Sequence, residues 1–245
     1  MLFAGHLWIS LLLKQMLLFA APVVVLDPGH GGAQVGARAG NFLEKEFVLA
    51  LALLLKADLE QEGLQVHLTR TEDVFVPLRE RIKRANEKEP AVFISLHANA
   101  ISRAHRLKNH GIETYFLAAH ASTGHAQKVA ALENKALGAN TQHSGLLEKI
   151  LDDLQRTQLQ MLSSRLAHEV QEALIAVSGA RDRGVQQALF LVLVGVNAPA
   201  ILVEFGFVSH EAELKKLKDV EYQRLLSQAV TQGILKFLHR ENVSQ

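Results

Sequence analysis

At 245 residues, 49% hydrophobic and 21% charged, the chain has an ordinary globular composition that suits one α/β domain with insertions better than two full domains. The net charge is only +1 and Lys and Arg are scattered, so the basic stripe of a nucleic-acid binder is missing and no nucleic-acid partner is expected. The absence of cysteine excludes disulfides and thiolate metal ligands, leaving His and carboxylates for any transition-metal site.

Residues 1–21 are strongly apolar and read as a secretory signal peptide or an N-terminal helix. The signal reading implies export to the periplasm or cell envelope. Lys14 sits in the middle of the run, where a membrane-spanning helix would have to bury its charge. The rest, 22–240, is expected to be one domain. VVVL at 23–26 is a β-branched strand running into Asp27-Pro28-Gly29. Residues 44–62 have helical spacing with acids at the start and Gly63 as a C-cap, 65–69 form a second strand, and 78–87 an amphipathic helix. AVFISL at 91–96 and GIETYFL at 111–117 are further strands. Residues 146–177 are mostly helical, 190–194 and 200–203 are two more strands, and helices close the chain from 211 to 239. This alternation implies right-handed crossovers and a twisted, mostly parallel sheet of about six strands flanked by helices. The polar stretch 119–144 interrupts the rhythm and marks an insertion reaching to about 165; long loops of that kind are commonly functional.

Three segments carry metal-site chemistry. His30 stands in Asp27-Pro28-Gly29-His30-Gly31-Gly32, just past a buried strand, at the sheet edge where open α/β folds place their sites. A Gly-rich phosphate loop is the bland alternative, but no Lys-Ser/Thr pair follows. Glu44 opens the next helix and lies near that edge. Acids at helix starts commonly just complement the dipole. Glu46 competes for the role, yet two residues along a helix is about 200° around it, so the two acids cannot point the same way. His97 ends the strand AVFISL. Two histidines at strand ends plus one acid make a set that binds zinc with a coordination position left open for water, the mark of a catalytic site. Glu204, in PAILVEFGFVS, is costly in so apolar a strand unless it has a partner or a task. Beside activated water it would be a general base; the alternative is a buried salt bridge.

The segments VVLDPGHGG, EKEFVLALALLL, LTRTEDVFVPLRERIKRAN, VFISLHANA, GIETYFL, DRGVQQALFLVL and PAILVEFGFVS together resemble, in order and over about 23–238, the zinc-dependent N-acetylmuramoyl-L-alanine amidases of type 3. The resemblance implies Zn2+ held by His30, Glu44 and His97, Glu204 as catalytic acid/base, and peptidoglycan as substrate. The loop between His30 and Glu44 lacks the Lys-Asp-Pro that often follows GHGG, which keeps Glu46 open as the carboxylate ligand. His210 replaces a usual Asn and reads as a surface residue. Arg70, Arg181 and Arg183 read equally as contacts to stem-peptide carboxylates or as solvated charges. AQKVAALENKALGAN and LLEKILDDLQ resemble the cell-division branch, where a helix blocks the cleft until a protein activator displaces it, and Glu133 is the candidate to reach the metal in that inhibited state. A monomer is expected. Another zinc amide hydrolase (a peptidase or deacetylase) and an inactive wall-binding regulator are the alternatives.

Overall fold

The computed structural model describes residues 21–101, 108–137 and 157–243; the leader and the LLEKILDDLQ segment lie outside them. The β-branched run forms β1 (Val23–Pro28). A two-stranded ribbon, β2 (Arg38–Ala39) and β3 (Phe42–Leu43), leads into α1 (Glu44–Gln61). Gly63, at φ +83, ends that helix as expected: Leu64 N bonds Leu59 O and Gly63 N bonds Glu60 O, the paired closure that satisfies the last carbonyls. Then follow β4 (Gln65–Leu68), α2 (Leu78–Asn86), β5 (Val92–Asn99), β6 (Ile112–Leu117), α3 (Gly124–Ala136), α4 (Thr157–Ser178), β7 (Asp182–Ala188), β8 (Ala200–Phe207), α5 (Glu211–Leu217) and α6 (Val220–Val243). No described helix is long and apolar enough to cross a membrane.

Six strands form one sheet in the order β4-β1-β5-β8-β6-β7. The first four run parallel; β6 pairs antiparallel with β8, and β7 parallel with β6. The expected strand at 190–194 is absent. Phe190, Val192, Leu193 and Val194 are buried within successive turns, with Leu193 N bonded to Phe190 O. The edge strand is instead the polar DRGVQQA of β7, which includes Arg183. The polar insertion contains α3, capped by Thr123, whose hydroxyl accepts from Ala126 N.

Alternation along the strands separates two faces. Val24, Leu26, Ile94, Leu96, Ile201 and Val203 enter the larger core, with Leu51 and Leu55 of α1, Leu166 and Val170 of α4, and Val230 and Ile234 of α6. The opposite face packs Val25, Phe93, Tyr115 and Leu202 against α3 and the turn at Phe190, then turns polar toward the strand ends. There Asp27 lies beside Ser95, and Glu204 lies between His97 and Glu113, in register on β1, β5, β8 and β6.

Asp27 is anchored rather than catalytic. It accepts from Thr69 Oγ1 (2.5 Å), Ser95 Oγ (2.8 Å) and Arg81 Nη1 (2.7 Å), and both ion-pair partners are buried. Burial alone would raise its pKa; Arg81 and these hydrogen bonds outweigh it and hold the carboxyl below its usual range. Stability from the ionised group is therefore present above the ordinary carboxylate range and lost as pH falls through the depressed pKa. Asp27→Asn leaves Arg81 buried without a counter-charge and is expected to cost about 3 kcal/mol at neutral pH, measured by urea unfolding. The gap from the unaltered protein should narrow on acidification; a gap that widens in acid would contradict this account.

Candidate active site

The loop after β1 is built around backbone carbonyls captured by two buried arginines. Arg70 donates to Pro28 O (3.0 Å) and Gly29 O (2.8 Å), and Arg81 to Pro28 O (2.9 Å) and His30 O (2.6 Å). These bonds hold His30 in a left-handed conformation, φ +56, which costs a non-glycine residue roughly 1–2 kcal/mol. Gly29 is required by close approach, because a Cβ there would sit 2.6 Å from His97 Nε2. Arg70 is thus committed internally and does not face a ligand.

Glu44, the first residue of α1, is buried, whereas Glu46 is exposed. Glu44 Oε2 accepts from Ala37 N (2.6 Å) and Oε1 from Ala98 N (3.0 Å). The same Oε1 lies 3.1 Å from His30 Nε2 and 3.0 Å from His97 Nδ1. Glu133 Oε2, from α3, approaches the same two nitrogens at 3.4 and 3.2 Å. The ligand atoms of His30, His97 and Glu133 lie within 4.8 Å of one another, and Glu44 adds its own approach to the two histidines. Ligands arranged tetrahedrally at zinc distances are about 3.3 Å apart, so the four measured separations suit one divalent ion. His30 Nε2 is buried without a hydrogen-bond partner among the described residues, as befits a nitrogen directed at a metal. The corner expected to be open for water is filled here by the Glu133 carboxylate.

Electrostatics follow the crowding. Burial would raise the Glu44 carboxyl, but His30 and His97 hold it well below the ordinary range. Burial works against protonating His30, while Glu44 and then Glu133 draw its pKa up. Glu133 is raised by burial and by Glu44. Glu204 is pushed well above the carboxylate range by burial and by the like charges of Glu133, Glu44 and Glu113, and neither of its buried oxygens has a hydrogen-bond partner among the described residues.

Four residues distant in sequence, His30, Glu44, His97 and Glu204, therefore meet at one sheet edge, and α3 adds Glu133. Sequence reasoning missed Glu113, fully buried and bound to Asn99 Nδ2 (2.9 Å), His125 Nε2 (2.8 Å) and Arg183 Nε (2.7 Å). The signal was present: a carboxylate inside the apolar strand GIETYFL is the same anomaly that singles out Glu204. His210 stacks on His110 at 5.0 Å and Arg181 is exposed.

The N-acetylmuramoyl-L-alanine amidase family profile matches residues 24–236. The chain belongs to this family. It is thereby a hydrolase of amide bonds. AmiA of Escherichia coli K12 is 31% identical over 223 residues, 89% of this chain and 76% of AmiA. The crystal structure of N-acetylmuramoyl-L-alanine amidase from Clostridium difficile 630 superposes with a TM-score of 0.67 at 30% identity, covering 89% of this chain and 97% of that one. The CwlD amidase of Clostridioides difficile, solved in complex with the GerS lipoprotein, superposes at 0.68 with 25% identity over 89% and 98% of the two chains.

Gly36, at φ +69, packs directly on the ligand pair: a Cβ there would overlap Glu44 Oε2 and sit 2.6 Å from His30 Cδ2. Gly36→Ala is expected to weaken zinc uptake in equilibrium dialysis roughly tenfold or more, with far-UV circular dichroism retained. Unchanged uptake would show that Glu44 and His30 do not hold the ion together.

Proposed function

We propose that the chain is a zinc-dependent amidase that cleaves the bond between the lactyl group of N-acetylmuramic acid and L-alanine in peptidoglycan, exported to the periplasm or cell envelope, and that α3 holds it in a blocked state. The observation that carries this reading is the convergence of His30, Glu44 and His97 on one point, within the same buried pocket as an acid, Glu204, that has no hydrogen-bond partner among the described residues. His30, Glu44 and His97 are the zinc ligands on this reading. Bound zinc supplies Lewis-acid polarisation of the scissile carbonyl and lowers the pKa of water toward neutrality.

Glu204 takes the proton from the attacking water and delivers it to the leaving nitrogen, which must be protonated before the amide can part. It can accept that proton only when ionised. In the blocked arrangement Glu133 is the first of the neighbouring charges that, after burial, push its pKa up. Withdrawal of α3 removes that charge and frees the fourth corner in one movement. Glu113 repels Glu204 less than its position in register would imply, because Arg183 is ion-paired with it.

The hold on α3 is mostly polar. His125 binds Glu113, Thr123 Oγ1 donates to Gln186 Oε1 (2.7 Å), Asn134 exchanges bonds with Leu189 O (2.8 Å) and Leu191 N (2.9 Å), and Ala136 O accepts from Gln34. Its buried apolar contacts are small: Ala126, Val129 and Ala130. A protein activator that offers better partners could lift such a helix, and the protein–protein complex of CwlD with GerS supports looking for one, as does the likeness to division amidases.

Digestion of purified sacculi with and without a chelator, followed by mass analysis, tests the chemistry. Chelator-sensitive release of free stem peptides is expected; acetate would indicate a deacetylase, and binding without products an inactive wall-binding protein. Glu204→Gln should lower the rate roughly 10²–10⁴-fold while zinc stays bound in a one-to-one ratio, and full activity in that variant would overturn the acid/base assignment. Glu133→Ala should raise the basal rate, and a fall would show that Glu133 assists the reaction instead of blocking it.

A further inference from the structure

The strand order gives the cleft two chemically different flanks. The catalytic face lies at the ends of β1, β5 and β8; the loop after β4 borders it on one side, and the start of β7 on the other. On the β4 side, Phe75 and its neighbour Val74 are 43% and 45% exposed, and Phe75 is the one aromatic among the strongly exposed large apolar side chains of the described residues. It is not on a loose tip. Arg70 Nη1 bonds Glu72 O (3.1 Å), Asp73 accepts from Gly32 N (2.8 Å) and Lys45 Nζ (2.6 Å), and Arg81 Nε bonds the carbonyl of buried Val76 (2.9 Å). The loop is thereby fixed on both sides of the ring, so little order has to be created when something binds it. It also abuts the loop of His30: a Cβ on Gly32 would lie 3.3 Å from that of Phe75.

A rigid, exposed ring two residues' breadth from His30 calls for a neutral partner with an apolar face. Within the loop itself the exposed charges are the acids Glu72 and Asp73; Arg70 is buried and Lys45 Nζ is occupied by Asp73 and Gly32 O. An anionic peptide would be repelled there. On the opposite flank Arg181 is exposed, while Arg183 is ion-paired with Glu113 and stacked over the Phe207 ring at 4.9 Å. Peptidoglycan divides in the same manner at the bond to be cut: uncharged pyranose rings with a C–H face on one side, a carboxylate-bearing stem peptide on the other.

Resting on the amidase reading above, we propose that Phe75 is the platform for a pyranose ring of the glycan strand, with the stem peptide running toward the Arg181 and Arg183 flank. Phe75 thus sets substrate binding and orientation and takes no part in proton transfer.

The test compares the unaltered full chain with Phe75→Ala and Phe75→Trp on two substrates: glycan chains bearing stem peptides, and an N-lactoyl peptide with the same amide but no sugar. Phe75→Ala should raise KM on the glycan substrate roughly five- to tenfold with kcat nearly unchanged, leave the N-lactoyl peptide unaffected, and be restored by Phe75→Trp. An unchanged KM on glycan chains overturns the platform, and an equal loss on both substrates assigns the ring to the peptide or to general structure. Co-sedimentation with sacculi in chelator separates this from the parent reading. If neither the unaltered chain nor the Glu133→Ala variant, in which the block is relieved, releases stem peptide, the amidase reading fails; Phe75-dependent sedimentation would still support the platform, and Phe75-independent sedimentation would remove it.

Discussion

Four buried or nearly buried carboxylates, Glu44, Glu113, Glu133 and Glu204, share one end of one face of the sheet, and this concentration of negative charge constrains everything around it. Among the described residues Glu113 is ion-paired with Arg183 and hydrogen-bonded to His125. The other three crowd two imidazoles, and burial with mutual repulsion raises the carboxyls of Glu133 and Glu204. A divalent cation relieves this repulsion, because each of the three acids would then face positive charge in a low-dielectric pocket. The donor set contains no sulfur and two imidazoles, which suits zinc among the common divalent ions. Charge balance and ligand spacing are thus each compatible with one divalent ion, zinc on the proposed reading.

Holding this cluster requires a rigid frame, and the frame is itself made of buried charge. Arg70 and Arg81 take up the carbonyls of residues 28–30, while Asp27 neutralises Arg81 from the neighbouring strand position. Arg81 thereby ties the strand β1, the His30 backbone and the Val76 turn to a single guanidinium. A planar fork with five donors can do this; a lysine could not. The arrangement explains why LTRT and LRERIKRAN, segments with no chemistry of their own, accompany the metal-binding motifs in the sequence: they supply the two guanidinium groups.

Much of this was legible before any coordinates. Short β-branched runs ending in Gly or His marked β1 and β5, and their parallel pairing follows from the intervening helices. The anomaly of an acid within PAILVEFGFVS located Glu204. What could not be read was register. Choosing Glu44 over Glu46 needed the entry angle of α1, which is set by the β2–β3 ribbon and by the bond from Glu44 N to Ala37 O. The last strand was misplaced because apolar content reports burial rather than extension: FLVLV is buried as turns, whereas DRGVQQA lies at the sheet edge, half-covered, where polar residues are tolerated and indeed useful against unwanted pairing. Glu113 was passed over because its strand pairs antiparallel with β8, an arrangement that the strand–helix rhythm does not announce.

The placement of α3 brings stability and function into contact. An element that must leave its site cannot be welded into the core, and regulatory elements are drawn from the less stable parts of a fold. The helix meets this requirement by chemistry: it buries alanines and a valine where α1 and α6 bury leucines, isoleucine and phenylalanine, and it relies on hydrogen bonds whose groups water can satisfy after release, so that each contributes only about 1 kcal/mol net. Its one expensive contact is Glu133, whose carboxyl is raised by burial and by Glu44 and lies against His30 and His97. On the proposed reading the ion therefore both drives catalysis and holds the plug, and blocking strength should follow metal occupancy. A site loaded with zinc would then be the most firmly closed, and an activator would have to compete with the attraction of Glu133 to the ion rather than with the packing of the helix.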